Sequence, residues 1–498
     1  MTTETALPRP GTYRTWSARF FSLPTVLGLA LITSLWVFVG YGNLTFNMDD
    51  PDIWWHLRNA QQMVQTHHFI YSDSWTFTVP GQRWTDFEWL AELIYYFGWS
   101  HLGLQGVYVV AMLVLSATVA GIYSLACLRS GDCKAAFVAT FAALLFLTVS
   151  IGPRMLLFGW LFLIIELAIL WNLERGRDLT LALPPLFLLW VNTHGTWLIG
   201  YVLMVLYFAA GAFRSDWGAV FVKPWAPRQL RKFAAVTLAS TALLFVNPYG
   251  WRIVAYPFDM AFRQRQNTES MAEWASINFH DFRGKAVLAL VILFLVLKLI
   301  RQRRWTLQDL LFSIIGLYAG LTYLRFLFLL GIIFAPLLAM ELPGTLFPRY
   351  QPANDRRSPN LIAVLVLLFA VAVSWPSIGK LQAGVEQAQP VQAISYIRNV
   401  AGKGNLFNQF EWGGYLEWHA PEVKTFIDSR VDIFVYSGAM TDYLRATRMN
   451  DSLEILDKYR IRYVLLRQES PFAYLLNHTS GWKPTYHDQQ AVVFERVP

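Results

Sequence analysis

The chain has 498 residues, of which 55% are hydrophobic, 16% aromatic and only 15% charged, with a formal net charge of +8. Soluble domains carry roughly 25% charged residues, so a water-soluble globule is excluded and a protein of the lipid bilayer is expected. The 41 basic residues fall mainly in short links between apolar runs. A nucleic-acid binder would gather them on one polar face among aromatics, so no nucleic-acid partner is expected.

A helix that crosses a bilayer needs about 20 mainly apolar residues. Spans are expected at 25–46, 104–127, 135–151, 155–173, 179–192, 195–213, 233–247, 284–300, 307–323, 326–341 and 360–376. The fold class is thus an α-helical polytopic membrane bundle of about eleven transmembrane helices, followed by a soluble α/β domain. Residues 1–24 form a cytoplasmic N-terminal segment. The first apolar run is read as a retained span, because no small-residue cleavage site follows it. Arg9, Arg14 and Arg19, then Arg129 and Lys134, then Arg175 and Arg177, fall in every second link and so on one side of the spans. The positive-inside rule therefore puts the N-terminus inside and an odd number of spans puts the C-terminus outside. Residues 25–376 make the membrane domain, with outside loops at 47–103 and 248–283.

Within the first loop, Glu88 to Trp99 carries the aromatics of an interfacial helix. Thr306-Leu307-Gln308-Asp309 has the form of a capped helix start. Residues 377–498 alternate strand-like runs, Asn405 to Phe410, Lys424 to Asp428, Tyr463 to Arg467 and Ala491 to Glu495, with a helical pattern from Asp442 to Tyr459. Cys127 and Cys133 flank one short link and cannot staple distant segments. No internal repeat is evident, which tells against repeat-built transporters.

All nine histidines fall outside in this topology, and so do the densest acidic clusters. The first is Met48-Asp49-Asp50-Pro51-Asp52-Ile53-Trp54-Trp55-His56-Leu57. Its carboxylates and imidazole can act as general base towards an acceptor, or hold a divalent cation on Asp50 and Asp52. The Trp54-Trp55 pair adds a stacking surface suited to a sugar, with His56 beside it. The same acids also fit a plain helix start. The second cluster, Pro80-Gly81-Gln82-Arg83-Trp84-Thr85-Asp86-Phe87-Glu88-Trp89-Leu90-Ala91-Glu92, would bring Asp86 and Glu88 back towards Asp50 and Asp52.

Further along, Trp190-Val191-Asn192-Thr193-His194-Gly195 is a polar tip between two spans, a place for a ligand-binding His194. The next large loop carries Asn247-Pro248-Tyr249-Gly250, then Arg252, Arg263 and Arg265, then Glu273-Trp274. Basic residues at the outer face run against the topological trend and suit an anionic ligand such as a lipid phosphate. Arg325, between two apolar runs, is expensive there without an anionic partner. Glu166 lies inside the fourth span without an evident role. Glu411-Trp412-Gly413-Gly414-Tyr415 and Asp428-Ser429-Arg430-Val431-Asp432 read mainly as loop and ion-pair structure at strand ends. A Gly-rich phosphate loop, a His-Glu-x-x-His zinc signature and a nucleophile elbow are all missing, so nucleotide hydrolysis is unsupported.

Asp50-Pro51-Asp52 with Trp54 and Trp55 after the first span, and Pro80 to Trp84 leading to Asp86 and Glu88, resemble the two loop motifs of the GT-C class of integral membrane glycosyltransferases. The resemblance covers the whole chain in architecture and the first hundred residues or so in motif. Here Asp-Pro-Asp replaces the usual acidic pair and the double proline of the second motif is lost, so either Asp50 or Asp52 can be the base. The chain also resembles bacterial multi-span proteins that share Asp-Pro-Asp-x-Trp-Trp-His-Leu, Asn-x-His-Gly, Asn-Pro-x-Gly and Glu-Trp motifs.

The resemblance implies transfer of a sugar, with inversion, from a polyprenyl-phosphate-linked donor to a glycan, lipid or protein acceptor on the outer face of the cytoplasmic membrane. Asp50, Asp52, Asp86 and Glu88 would be catalytic. Trp54, Trp55, His56, His194, Arg265, Glu273 and Arg325 would bind substrate, with Arg325 on the leaving phosphate. Some members of the class use a divalent cation such as Mg or Mn, for which Asp50 and Asp52 are the candidates. Two rival readings are a transporter or flippase of a lipid-linked anion and a non-catalytic assembly subunit.

Overall fold

The computed structural model describes residues 21–41, 50–147, 151–264, 272–343, 348–351, 355, 357–400 and 402–497. Every expected span coincides with a helix: α1 Leu23–Gly40 precedes α2 Asp52–Thr66 and α3 Trp89–Leu102 of the first loop, and α4 Leu104–Ser130 follows. Then come α5 Cys133–Leu147, α6 Leu156–Glu174, α7 Leu183–Val191, α8 Trp197–Ala210, α9 Pro227–Leu243 and α10 Trp251–Arg263. The bundle ends with α11 Phe282–Arg301, α12 Leu307–Thr322, α13 Leu327–Glu341 and α14 Arg357–Val373. A two-stranded parallel pair, β1 Val220–Phe221 with β2 Trp305–Thr306, joins the links before α9 and α12.

The number of membrane crossings is a separate matter from the number of helices. By length and apolarity, four segments can cross: α1, α4, α6 and Leu324–Glu341. A fifth results if Ser358–Val373 and Ile378–Ala388, bent by 51°, count as one span. Helices α5, α8 and α12 and the stretch Thr180–Val191 are apolar but shorter, so the expected eleven crossings are not established. The expected helix start at Thr306 is present, with its hydroxyl accepting from the backbone N–H of Asp309 at 3.1 Å.

Helix α13 is apolar on all sides, a pattern that stabilises a helix only when neighbours enclose it. Leu327 through Ala339 are all buried accordingly. At one end of the bundle Arg129 of α4 pairs with Glu174 of α6 and Asp309 of α12, tying three helices through one guanidinium. The loop that precedes α4 lies at the other end of that helix, so the two ends differ in chemistry.

The C-terminal domain contains α15 Ile378–Ala388, α16 Ile394–Val400, α17 Gly413–His419, α18 Val431–Val435, α19 Ala439–Thr447, α20 Ser452–Lys458 and α21 Pro471–Asn477. Its sheet has the order β3 Asn405–Asn408, β4 Ile461–Arg467, β6 Ala491–Arg496, β5 Trp482–His487, with β3 parallel to β4 and the other pairs antiparallel. Alternate residues of β4 serve opposite faces: Val464 and Leu466 enter one apolar cluster, Tyr463 and Leu465 the other. Both faces are therefore covered, as the mixed strand and helix pattern requires.

Two expectations for this domain are corrected. Lys424 to Asp428 is not a strand of the sheet. Its backbone bonds go to the Asn408 side chain, at 2.8 Å from Phe426 N and to Ile427 O, and to the first outer loop, where Phe77 N donates to Thr425 O at 3.1 Å. The fourth strand is β5, a polar edge strand whose Pro484 is tolerated because no neighbour needs its N–H. The helical stretch from Asp442 to Tyr459 is two helices, because Met449 and Asp451 take positive φ values of 67° and 56° between them.

The C-terminal domain packs directly on the first outer loop, so both lie at the same end of the bundle. Helix α17 lies against α2, where a side chain at Gly414 would press on the Pro51 carbonyl at 2.9 Å. Trp54 and Tyr415 meet edge to face at 5.0 Å. Arg430, 3% exposed, bonds Asp428 and Asp73 at 2.6 and 2.8 Å and lies over the rings of Trp75 and Trp84. That guanidinium joins loop to domain and thereby fixes the segment that carries Ser429.

Candidate active site

The site forms where α2 begins. Pro51 precedes the helix and Asp52 opens it, the position where a carboxylate complements the helix dipole. Asp50 Oδ1 accepts from the backbone N–H of Asp52 at 3.0 Å, and Asp50 Oδ2 pairs with the Arg154 guanidinium. Arg154 also pairs with Glu273. The Trp55 indole N–H donates to Ser429 Oγ at 3.0 Å and points towards Asp52 Oδ1 at 3.4 Å. Enclosure and the neighbouring Asp50 carboxylate both raise the proton affinity of Asp52. Asp50 and Asp52 are thus unlike: one holds a guanidinium, the other has no cation on it among the described residues.

A second group of acids lies one and two turns along α2. His56 Nδ1 and Glu92 Oε1 are 2.7 Å apart, and the Asn59 amide donates to Asp86 Oδ2 at 2.8 Å and to Glu92 Oε2 at 2.6 Å. All four side chains are buried. Enclosure pushes Asp86 up to about 7, raises Glu92 well above the carboxylate range with help from Asp86, and pushes His56 down to about 4. Glu88 behaves oppositely. Enclosure raises it, but the hydrogen bond from His194, with the positive charge of Arg325 nearby, outweighs that and holds it below the ordinary range. His194 Nε2 stands 3.1 Å from Glu88 Oε1, and His56 Nε2 stands 3.8 Å from Glu88 Oε2.

Arg325 lies over the Trp274 ring at 4.5 Å. Among the described residues it has no hydrogen bond or ion pair, and its charged neighbours are Glu273, Arg154 and Glu88. Glu273, despite enclosure, is held below the ordinary range by Arg154 and Arg325. Two guanidiniums therefore flank one carboxylate beside the Asp50–Asp52 pair, an arrangement that can hold an anion next to a base.

Of the residues expected from sequence, Asp50, Asp52, His56, Asp86, Glu88, His194, Glu273 and Arg325 come together here. Trp54, 2% exposed, instead packs on Trp99, Tyr415 and His419, and Trp55 packs on the His56 ring at 3.6 Å. Neither indole offers an open stacking face in this arrangement. Arg265 lies outside the described residues, as does Asp49. Residues that sequence reasoning gave no role of their own are Arg154, Asn59, Glu92 and Ser429, although Glu92 closes the second acidic cluster and Ser429 lies in the Asp428–Asp432 run. Arg154 did carry a signal, since it is a lone basic residue in the short link between α5 and α6.

No family model and no curated protein matches the chain. Among solved structures, the oligosaccharyltransferase of Archaeoglobus fulgidus tethered to an acceptor peptide with the NVT sequon superposes with a TM-score of 0.55. The identity is 12%, over 91% of this chain and 70% of that one. The archaeal enzyme AglB from the same organism, in complex with an inhibitory peptide and a dolichol-phosphate, gives 0.54 at 13% identity, over 91% and 70%. A structure of the Archaeoglobus fulgidus oligosaccharyltransferase with Zn and sulfate gives 0.54 at 14%, over 89% and 68%. ArnT from Cupriavidus metallidurans in the apo state gives 0.50 at 15%, over 95% of this chain and 97% of that one. These are GT-C class membrane glycosyltransferases, and the chain has the GT-C fold.

The zinc of that relative bears on Asp50 and Asp52. The Arg154 guanidinium already stands on Asp50 Oδ2, and no group of three or more His, Cys, Asp or Glu side chains among the described residues is arranged to hold a metal ion. These two carboxylates therefore do not fit a cation site by themselves, and the positive charge beside them comes from Arg154.

Proposed function

We propose that the chain transfers a sugar from a polyprenyl-phosphate-linked donor to a glycan, lipid or protein acceptor at the outer face of the cytoplasmic membrane. The N-terminus lies inside, and the C-terminal domain lies outside with the site. The observation that carries this reading is Arg325. Its guanidinium lies 4.5 Å over the Trp274 ring, makes no hydrogen bond or ion pair among the described residues, and shares the neighbours Glu273 and Arg154 with Asp52. A guanidinium in apolar surroundings asks for an anion, and a lipid-linked phosphate is one that reaches this depth laterally.

Asp52 is the base and Asp50 is its neighbour bound to Arg154. Asp52 takes the proton of the acceptor nucleophile, and its raised proton affinity makes it a stronger base than an exposed Asp. The nucleophile bonds to the anomeric carbon as the carbon–oxygen bond to phosphate breaks on the opposite face, which inverts the configuration. The electron pair leaves on the phosphate oxygen, where Arg325 and Arg154 stabilise it. Glu88, kept ionised, and the Asp86–Glu92 pair, whose proton affinities enclosure raises, divide the acidic roles as different environments dictate. A bound Mg or Mn would supply further positive charge on the phosphate.

The test is mass spectrometry of surface glycans and glycolipids in cells lacking the protein, complemented with wild type, Asp52→Asn or Arg325→Met at equal abundance. Wild type should restore a missing sugar, and both variants should fail. Restoration by both variants would end this reading.

A further inference from the structure

His194 sits at the tip between α7 and α8, and its bonds settle which nitrogen carries the proton. The backbone N–H of Thr196 donates to His194 Nδ1 at 3.0 Å, and the Thr196 hydroxyl lies 3.0 Å from the same nitrogen. A backbone N–H only donates, so Nδ1 is an acceptor and carries no proton. The neutral ring therefore has its hydrogen on Nε2, which faces Glu88 Oε1 at 3.1 Å. The turn is held in turn: the Trp190 indole donates to Thr196 Oγ1 at 3.0 Å, and the side chain of Asn192 accepts from the Trp89 indole at 3.0 Å. Gly159 of α6 makes room, since a Cβ there would meet Thr196 Oγ1 at 2.1 Å. His194, Thr196 and Trp190 are all buried.

We infer that His194 is a positioning residue whose fixed Nε2–H holds Glu88 as an oriented carboxylate facing the transfer site, so its ring is committed to Glu88 and not to the substrate. This rests on the reading that Glu88 belongs to a transfer site. The groups around Glu88 fit it: Asp86 and Glu92 would otherwise push a proton onto it, His56 faces its other oxygen at 3.8 Å, and Arg325 and Tyr256 complete the surroundings. Against two acidic neighbours, one N–H donor of fixed direction keeps one carboxylate ionised.

Dicyclohexylcarbodiimide reacts with protonated carboxyls, so labelling of purified full-length protein at pH 7, mapped by peptide mass spectrometry, reads the state of Glu88 without sugar, donor or acceptor. Asp52, in the same site but without contact to His194, is the internal standard. In wild type Glu88 should label far more slowly than Asp52. Loss of a charge-assisted donor shifts a carboxyl by about one pH unit, so His194→Ala should speed Glu88 labelling by about tenfold relative to Asp52. His194→Gln, whose amide can donate to the same oxygen, should return it to the wild-type rate, which a merely structural role would not produce. Equal Glu88 rates in wild type and His194→Ala, with Asp52 labelling unchanged, would overturn the inference, as would a His194→Gln rate no slower than that of His194→Ala. Because no transfer is measured, these outcomes are independent of whether the chain moves a sugar.

Discussion

Asn59 offers the sharpest stability test, because one amide serves two buried acids. It is 0% exposed, and its two N–H bonds run to Asp86 at 2.8 Å and Glu92 at 2.6 Å. Asn59→Asp keeps the shape, removes both donors and adds a third carboxyl. A hydrogen bond to a charged acceptor contributes about 1.5–3 kcal/mol and one to a neutral acceptor about 0.5–1.5. Two enclosed acids on one amide favour one charged and one neutral acceptor, so the loss is one bond of each kind, roughly 2–4.5 kcal/mol. In a chain of this size that lowers the thermal midpoint by about 5 °C. The assay is thermal unfolding of detergent-purified protein, followed by tryptophan fluorescence. Asn59→Leu, which loses the bonds but adds no acid, should fall less, and the gap between the two variants should close at pH 5. A midpoint within 1 °C of wild type for Asn59→Asp at pH 7 would refute the reasoning.

Three further outcomes follow from the same contacts. Asp86 titrates at about 7 in the folded protein against roughly 3.9 when exposed, so its contribution is complete below about pH 4 and lost as the pH rises through 7. His56, held at about 4, works the other way, being complete above roughly pH 6.5 and lost as the pH falls. Asp86→Asn should therefore flatten the decline in thermal midpoint between about pH 4 and 7, and an unchanged slope would contradict the assignment. Arg430→Ala strands Asp428 and Asp73 as buried charges, at a cost of about 3–5 kcal/mol. Limited proteolysis should then release the C-terminal domain from the first loop, and wild-type resistance would count against the clamp. Gly159→Ala overpacks the Thr196 turn, at about 1–3 kcal/mol, visible as a lower midpoint.

Helix positions were legible because a bilayer demands long apolar runs, and each of the eleven coincides with a helix. The crossings were not, since α7 and α8 are too short to be told from half-buried helices by apolarity. The site was legible where a polar residue breaks an apolar context, as with Asp50, Asp52, His194 and Arg325. Asn59 was hidden, because on an amphipathic helix it looks like any solvated face, and Glu92, which closes the second acidic cluster, carried no sign of its buried partners His56 and Asn59. Ser429 was hidden for another reason: it reaches Trp55 across 374 positions of sequence, and no local pattern encodes that contact. The same long-range pairing explains Lys424 to Asp428, a strand-like run whose backbone is claimed by the first outer loop.

The most direct test separates Asp52 from Asp50 within the acidic motif. In cells lacking the protein, glycolipids and surface glycans would be weighed by mass spectrometry after complementation with wild type, Asp52→Asn or Asp50→Asn at matched abundance and matched thermal midpoint. The account predicts that wild type restores a specific sugar mass and that Asp52→Asn restores none, with Asp50→Asn retaining part of it. Full restoration by Asp52→Asn would contradict a catalytic base at that position and favour a role in transport or assembly.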